Sequence, residues 1–420
     1  VNHVSFIRRD CRLCGSSNLE GCLELASTPL ADDYRSPDML EIPQPLLPLR
    51  LMLCRDCGFS QLEHVVPSEG IYRDYIYRTA SSLGLSSHFG RYARDVAQQL
   101  SLAPGGLAVD LGSNDGALLA AFKELGLRVL GCEPATAIAR DATERGLETW
   151  PEFFGPDIAR EIVSRKGRAS VVTCNNLYAN IDDLKSMTAA VLSILEQDGV
   201  FVFESFYMGS MMRNMVFDFI YHEHLSYFTI APLKEFFAKN GMELLDVQPV
   251  STKGGSIRCF VQPKGGKRPV SARVDEFIQA EKRDGLQTMA AFTDFAARID
   301  SARKTLADKL DTLGGPLAAY GASATTTTLA YHFDLLSRID YFVDENEDKI
   351  GLVSPGAHIP VLAPEALLER RPEHVLVAAW RYWEPIARKN ARYLREGGAF
   401  IIPLPELRIV TGADLEGLHA

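Results

Sequence analysis

The chain has 420 residues, 46% of them apolar and 23% charged, which suits a globular protein of two or three domains with a sizeable core. A net charge of −10 excludes nucleic acid as the main partner, because that binding rests on Lys and Arg neutralising phosphates. No apolar run approaches the roughly 20 residues that span a bilayer, and the stretch 1–9 has no signal-peptide core. No membrane partner and a cytoplasmic location are therefore expected.

The first predicted unit, residues 1–70, carries two CxxC pairs, Cys11/Cys14 and Cys54/Cys57, each followed by a glycine (Gly15, Gly58). Zn²⁺ takes four thiolates in a tetrahedron, and each pair presents two from one tight turn, so a structural zinc site is expected. Unlinked reduced thiols or a redox CxxC are the competing readings. Pro29, Pro37, Pro43, Pro45 and Pro48 stand between the pairs and exclude a long helix, giving a loop-rich module. Residues 84–102 follow with the apolar spacing of an amphipathic helix (Phe89, Tyr92, Val96, Leu100).

From 107 to about 262, strands are predicted at 107–111, 128–132, 170–174, 199–204, 243–248 and 256–262, with helices at 116–125, 135–145 and 183–195. This alternation argues for a mainly parallel, doubly wound α/β sheet. Residues 274–312 read as one or two long charged helices, with Gly285 a candidate break. Strands near 316–320, 341–344, 374–379 and 399–403 then predict a second α/β domain.

Two stretches carry chemistry. Leu107-Ala-Val-Asp110-Leu-Gly112-Ser-Asn114-Asp115-Gly116 reads as strand, tight turn and helix start, where glycine lets the backbone approach a ligand at the sheet's switch point. It is not GxGxxG, which argues against a dinucleotide coenzyme. Asp110 suits an ammonium group, and Glu133, closing the next strand in Gly131-Cys132-Glu133-Pro134, can accept both ribose hydroxyls. A helix cap at Asn114-Asp115 and a solvated Glu133 are the plainer alternatives. With Asn175-Asn176 ending the third strand, these residues together resemble motifs I and II of the class I SAM-dependent methyltransferases. That resemblance implies S-adenosylmethionine (SAM) held by Asp110, Gly112, Asn114, Asp115, Glu133, Asn175 and Asn176.

The second stretch, Tyr221-His222-Glu223-His224-Leu225-Ser226-Tyr227-Phe228, gathers a phenol, two imidazoles and a carboxylate. Imidazole titrates close to neutrality, which suits a general base; a structural histidine pair is the alternative. A carbon beside a ketone becomes a nucleophile once its α-proton is removed. His224 would take that proton, with Tyr221 or a polar group of the 175–180 loop stabilising the enolate oxygen.

The order CxxCG, CxxCG, DLGSNDG, YHEHLSYF and Pro355-Gly-Ala-His-Ile-Pro360 resembles, over essentially the whole chain, the deoxysugar C-methyltransferases, which include dTDP-3-amino-4-keto-sugar C-3-methyltransferases. The resemblance implies a three-part monomer: zinc-binding domain 1–70, SAM domain 71–265 and Rossmann-like C-terminal domain 266–420. A nucleotide-linked keto-sugar would lie between the last two. It implies His224 as base, Tyr221 and Glu223 on the sugar, and Tyr75 or Tyr77 closing over the site. His222, Lys253 and Arg258 complete the expected substrate contacts.

Three positions depart from the family pattern. Asn180 stands where a histidine is expected, Lys253 replaces the more usual histidine before Gly254-Gly255, and the Thr325–Thr328 turn lacks the family's lysine. They suggest a different sugar, or a substrate that is not an ordinary deoxysugar. Arg213 and Arg381 join Lys253 and Arg258 as candidate diphosphate contacts, with a solvated surface charge the commoner role for each, and Trp380 and Trp383 are candidate nucleobase stackers, with core packing the commoner role for Trp. Competing readings are O- or N-methylation, C-methylation of a non-sugar ketone, and a SAM-binding zinc scaffold without catalysis.

Overall fold

In the computed structural model, which describes residues 5–72, 85–315 and 317–417, the chain builds three main sheets in chain order. The first is antiparallel and pairs strands Leu19–Thr28, Leu47–Cys54 and Ser60–Leu62. The expected loop-rich module is thus corrected to a sheet with strands of ten and eight residues. Pro29, Pro37, Pro43 and Pro45 fall in the connection between those strands. Leu49, Leu51 and Leu53 alternate inward with the period of a half-buried strand. The fourth strand, Ser226–Tyr227, comes from the far side of the sequence and pairs with Ser60–Gln61. Two residues beyond His224, the chain is therefore stitched to the cysteine-bearing sheet.

The central sheet has seven strands in the order Met242–Val250, Ser256–Pro263, Leu195–Phe206, Ala169–Asn175, Leu107–Leu111, Arg128–Cys132, Thr149–Trp150. Ser256–Pro263 is antiparallel to both its neighbours and every other adjacent pair is parallel. Leu107–Leu111 is buried along its whole length, as expected for a parallel strand covered by helices on both faces. The covering helices include Leu85–Leu100, Ala117–Glu124, Thr136–Glu144 and Leu184–Ile194. Asp110 lies in register with Gly131 on one side and Thr173 on the other. The strand order reverses here, so the ends of three strands open onto one crevice.

Helices Ala272–Asp284 and Met289–Leu313 follow, separated at Gly285, whose φ of 63° is the left-handed turn that ends the first of them. The C-terminal sheet has six strands in the order Val361–Leu362, Ile339–Val343, Leu317–Tyr320, His374–Val377, Ala399–Ile402, Arg408–Val410; all adjacent pairs are parallel except the last. It packs on the rest through specific bonds: Thr327 Oγ1 donates to the Ala31 carbonyl (2.7 Å) and Lys349 Nζ pairs with Asp32 (2.5 Å). Among the described residues no helix is long and apolar enough to cross a membrane.

Candidate active site

The cysteine pairs converge. Gly15 N–H donates to Cys11 O and Gly58 N–H to Cys54 O, both at 2.8 Å, and both glycines take the positive φ (77° and 76°) that the two matching turns need. The four sulfurs lie within 4.8 Å of one another, with Cys11–Cys57 and Cys14–Cys54 each 3.6 Å apart. That is far too long for a disulfide and close to the edge, about 3.8 Å, of a tetrahedron of thiolates 2.3 Å from zinc. The residues fit Zn²⁺, and four thiolates leave no position open for substrate.

The central strand ends line a cavity of about 1270 Å³, counting its open mouth. Asp110 is buried and accepts from Thr173 Oγ1 at 2.6 Å; burial pushes its carboxyl up to about 7. Gly112 has φ 68°, and a Cβ there would sit 2.8 Å from Leu177 Cδ2, so the turn cannot carry a side chain. Glu133 is held by two backbone donors, Asn114 N–H at 3.0 Å and Ala135 N–H at 2.9 Å, one on each oxygen. A carboxylate offers about four lone-pair sites, so acceptor capacity is left for a ligand. Asn175 and Asn176 are fixed on Glu204: Glu204 N–H donates to Asn175 Oδ1 (3.0 Å) and Asn176 N–H to Glu204 O (2.8 Å). Asp115 does not reach this cavity. Its carboxylate accepts from Ala117 N–H at 3.2 Å at the start of the next helix, the capping role that competes with ligand binding. Buried carboxylates beside backbone and amide groups suit a ligand with a cationic centre and vicinal hydroxyls, so the donor set fits SAM.

The same cavity is also lined by Asn180, Tyr221, Glu223, His224 and Lys253. His224 Nδ1 is 2.7 Å from the Phe219 carbonyl. A carbonyl only accepts, so Nδ1 carries the proton and Nε2 keeps its lone pair. The rings of Tyr221 and His224 lie 4.0 Å apart. Burial pulls the imidazole down to about 3, keeping it neutral, and burial with the neighbouring Asp32 carboxylate pushes Glu223 up to about 8. Lys253, in the left-handed region at φ 54°, is pulled down to about 8 by burial, opposed by Glu223 and Glu204.

Other predicted residues point elsewhere. His222 packs on the N-terminal sheet, its Nε2 3.2 Å from Pro48 O and its ring 6.1 Å from that of His64, facing an adjoining crevice and not this cavity. Arg258 is spent in a buried ion pair with Glu204 (2.7 Å) and lies over the Tyr92 ring at 4.1 Å. Tyr75 and Tyr77 lie outside the described residues. Tyr72, not singled out from sequence, lines the cavity and accepts from Asn180 Nδ2 at 2.8 Å. Its position in the tyrosine-rich run 72–77 is the one signal that pointed toward it.

Lys253 also lines a second cleft of about 1360 Å³, between the central sheet and the C-terminal domain. Arg91, Arg213, Arg381 and Trp383 line it too, and among the described residues no carboxylate does, although Arg213 is ion-paired to Asp284 at 3.4 Å. In a chain of net charge −10, such a cleft is set up for an anion. Arg381 reaches it already paired to Asp218 at 2.7 Å, and Trp380 is buried with its Nε1–H on the same carboxylate at 3.0 Å. Trp380 is therefore packed in the protein and not free to stack on a base.

Three family models match the chain: a zinc binding domain over residues 11–72, a methyltransferase domain over 86–247 and a C-methyltransferase C-terminal domain over 251–405. The C-methyltransferase NovU of Streptomyces niveus is 30% identical over 406 residues, 96% of this chain and 97% of its own. Among solved structures, the magnesium protoporphyrin IX methyltransferase ChlM of Synechocystis PCC 6803 with bound SAM is 12% identical, covering 44% of this chain and 84% of its own, at a TM-score of 0.32. A SAM-dependent methyltransferase of Clostridium acetobutylicum ATCC 824 is 16% identical, over 44% and 94%, at 0.34. Likenesses at this level carry no argument about chemistry.

Proposed function

This chain belongs to the zinc-binding, SAM-dependent C-methyltransferases, and from that premise we propose that it deprotonates a carbon beside a ketone on a nucleotide-linked deoxysugar and methylates that carbon. The observation that carries the reading is one cavity lined both by the strand-end residues and by Asn180, Tyr221, Glu223 and His224. Glu133 would hold the ribose hydroxyls of SAM, Asp110 its ammonium group, and Asn175 and Asn176 its methionine part. Bound SAM supplies a methyl group on a cationic sulfur. His224 Nε2 takes the α-proton, and the C–H electron pair passes into the enolate. Asn180, protonated Glu223 and cationic Lys253 stand around the cavity to receive the charge growing on oxygen. A neutral imidazole of low basicity can do this in a dry site because imidazolium and enolate form together and attract one another strongly there. Asn180 orients and does not titrate, which leaves proton transfer to His224.

Support for a nucleotide-linked substrate comes from the second cleft, which among the described residues is lined by Arg91, Arg213 and Lys253 and by no carboxylate, and where Trp383 offers a ring. Diphosphates are bound by such fixed cations. Calorimetry with thymidine diphosphate and S-adenosylhomocysteine tests this. Each is expected to bind in the presence of the other, and Arg213→Glu to weaken the diphosphate alone. Mutual competition would contradict two adjoining sites.

The pH profile tests the roles. Glu223 and Lys253 keep their protons below about 8 and lose them above it, while His224 stays unprotonated down to about 3. The turnover number is thus expected to hold from neutrality down to about pH 5 and to fall at alkaline pH. At saturating SAM, where the ammonium group keeps Asp110 (pushed up to about 7 by burial) ionised, an acid limb between about pH 6 and 7 would show instead a base with an ordinary imidazole pKa.

A further inference from the structure

We propose that Asp218 and Arg381 are positioning residues for the base: a clamp, held by the C-terminal domain, on the turn whose Phe219 carbonyl fixes the tautomer of His224. The proposal rests on reading His224 as the base.

The two neutral tautomers of imidazole differ little in energy, and the partner of one nitrogen decides which the other presents. Here that partner is Phe219 O, 2.7 Å from Nδ1. Were this carbonyl to swing away, the proton would be free to move to Nε2, and no lone pair would face the cavity. The carbonyl sits in the short 3₁₀ turn Phe217–Phe219, which is gripped on both sides. On one side Asp218, fully buried, accepts from Arg381 Nη1 at 2.7 and 2.9 Å and from Trp380 Nε1 at 3.0 Å. On the other, Ile220 O accepts from Thr328 Oγ1 at 3.0 Å. The Arg381 guanidinium also lies over the Phe219 ring at 4.7 Å and donates to Thr325 Oγ1 at 3.1 Å. Apart from His224 itself, every outside partner of the turn named here belongs to the C-terminal domain. Arg381 lines the second cleft as well.

The test uses full-length protein labelled with [¹⁵N]histidine, with His224 assigned by loss of its signal in His224→Gln. Wild type is expected to show His224 as the Nδ1–H form. Asp218→Asn should shift it toward Nε2–H and lower the turnover number on dTDP-4-keto-6-deoxyglucose by about tenfold or more, as lost orienting partners commonly do. KM and S-adenosylhomocysteine affinity should stay within about twofold of wild type. Because Asp218→Asn leaves the partly buried Arg381 without its countercharge and can unfold the chain, Thr328→Val is the second variant. It removes one donor at nearly constant shape and should move the tautomer in the same direction by less. A His224 that remains Nδ1–H in both folded variants overturns the clamp. Wild-type turnover in His224→Gln overturns the assignment of the base instead, and the tautomer still judges the clamp on its own.

Discussion

His224→Gln is expected to lower turnover by about 10²–10⁴-fold, the usual range for removing a general base, while affinity for S-adenosylhomocysteine stays within about twofold. The residues proposed to hold the cofactor belong to the strand ends at Asp110, Glu133 and Asn175–Asn176, whereas His224 reaches the cavity from a separate turn. Glutamine roughly conserves polarity and reach, and its amide N–H can still meet the Phe219 carbonyl. What it lacks is a lone pair able to accept and keep a proton. Loss of rate without loss of cofactor affinity therefore separates proton transfer from packing. Single-turnover assay with methyl-labelled SAM, alongside calorimetry, measures both. Wild-type rates would remove His224 as the base, and a matching collapse of cofactor affinity would recast it as a structural residue.

The second large effect is on stability. Cys54 is fully buried at the end of strand Leu47–Cys54, in register with Leu19. Structural zinc contributes roughly 10–16 kcal/mol to isolated finger peptides; a four-stranded sheet replaces part of that, and the remainder is still several kcal/mol. Cys54→Ser, or prolonged chelation of the wild type, should lower Tm markedly and release zinc. Because Ser226–Tyr227 is the fourth strand of this sheet, loosening it also slackens the segment that carries His224. Turnover should then fall in step with unfolding. Unchanged Tm with a selective loss of rate would contradict a structural metal.

What could be read from sequence divides along physical lines. The strands predicted at 107–111 and 128–132 coincide with Leu107–Leu111, which is buried throughout, and Arg128–Cys132, which is buried over its last three residues, because strands covered on both faces write themselves as short, mainly apolar runs. Thr149–Trp150 is two residues long and leaves no pattern. In the N-terminal sheet the prolines were the loudest signal, and they hid the alternation of Leu49, Leu51 and Leu53. That Ser226–Tyr227 joins this sheet is a non-local pairing that no spacing records. The same distinction governs the site. Residue types at strand ends name the chemistry, but the direction of a side chain belongs to the fold. Within one short segment His224 and Glu223 face the cavity while His222 turns to the N-terminal sheet. Arg258 and Arg381 are candidate phosphate contacts by residue type, yet each is paired to a buried carboxylate, Glu204 and Asp218, contributed by a distant stretch of chain.

The claim that the acceptor is carbon, activated by loss of its proton, is tested most directly by exchange in D₂O. Wild type incubated with a dTDP-linked 4-keto-deoxysugar and S-adenosylhomocysteine should wash deuterium into the carbon beside the ketone, and His224→Gln should not. With ¹³C-methyl SAM, the new methyl should appear bonded to that same carbon. A methyl on oxygen or nitrogen, or the absence of exchange at that carbon in the wild-type complex with S-adenosylhomocysteine, would contradict the account.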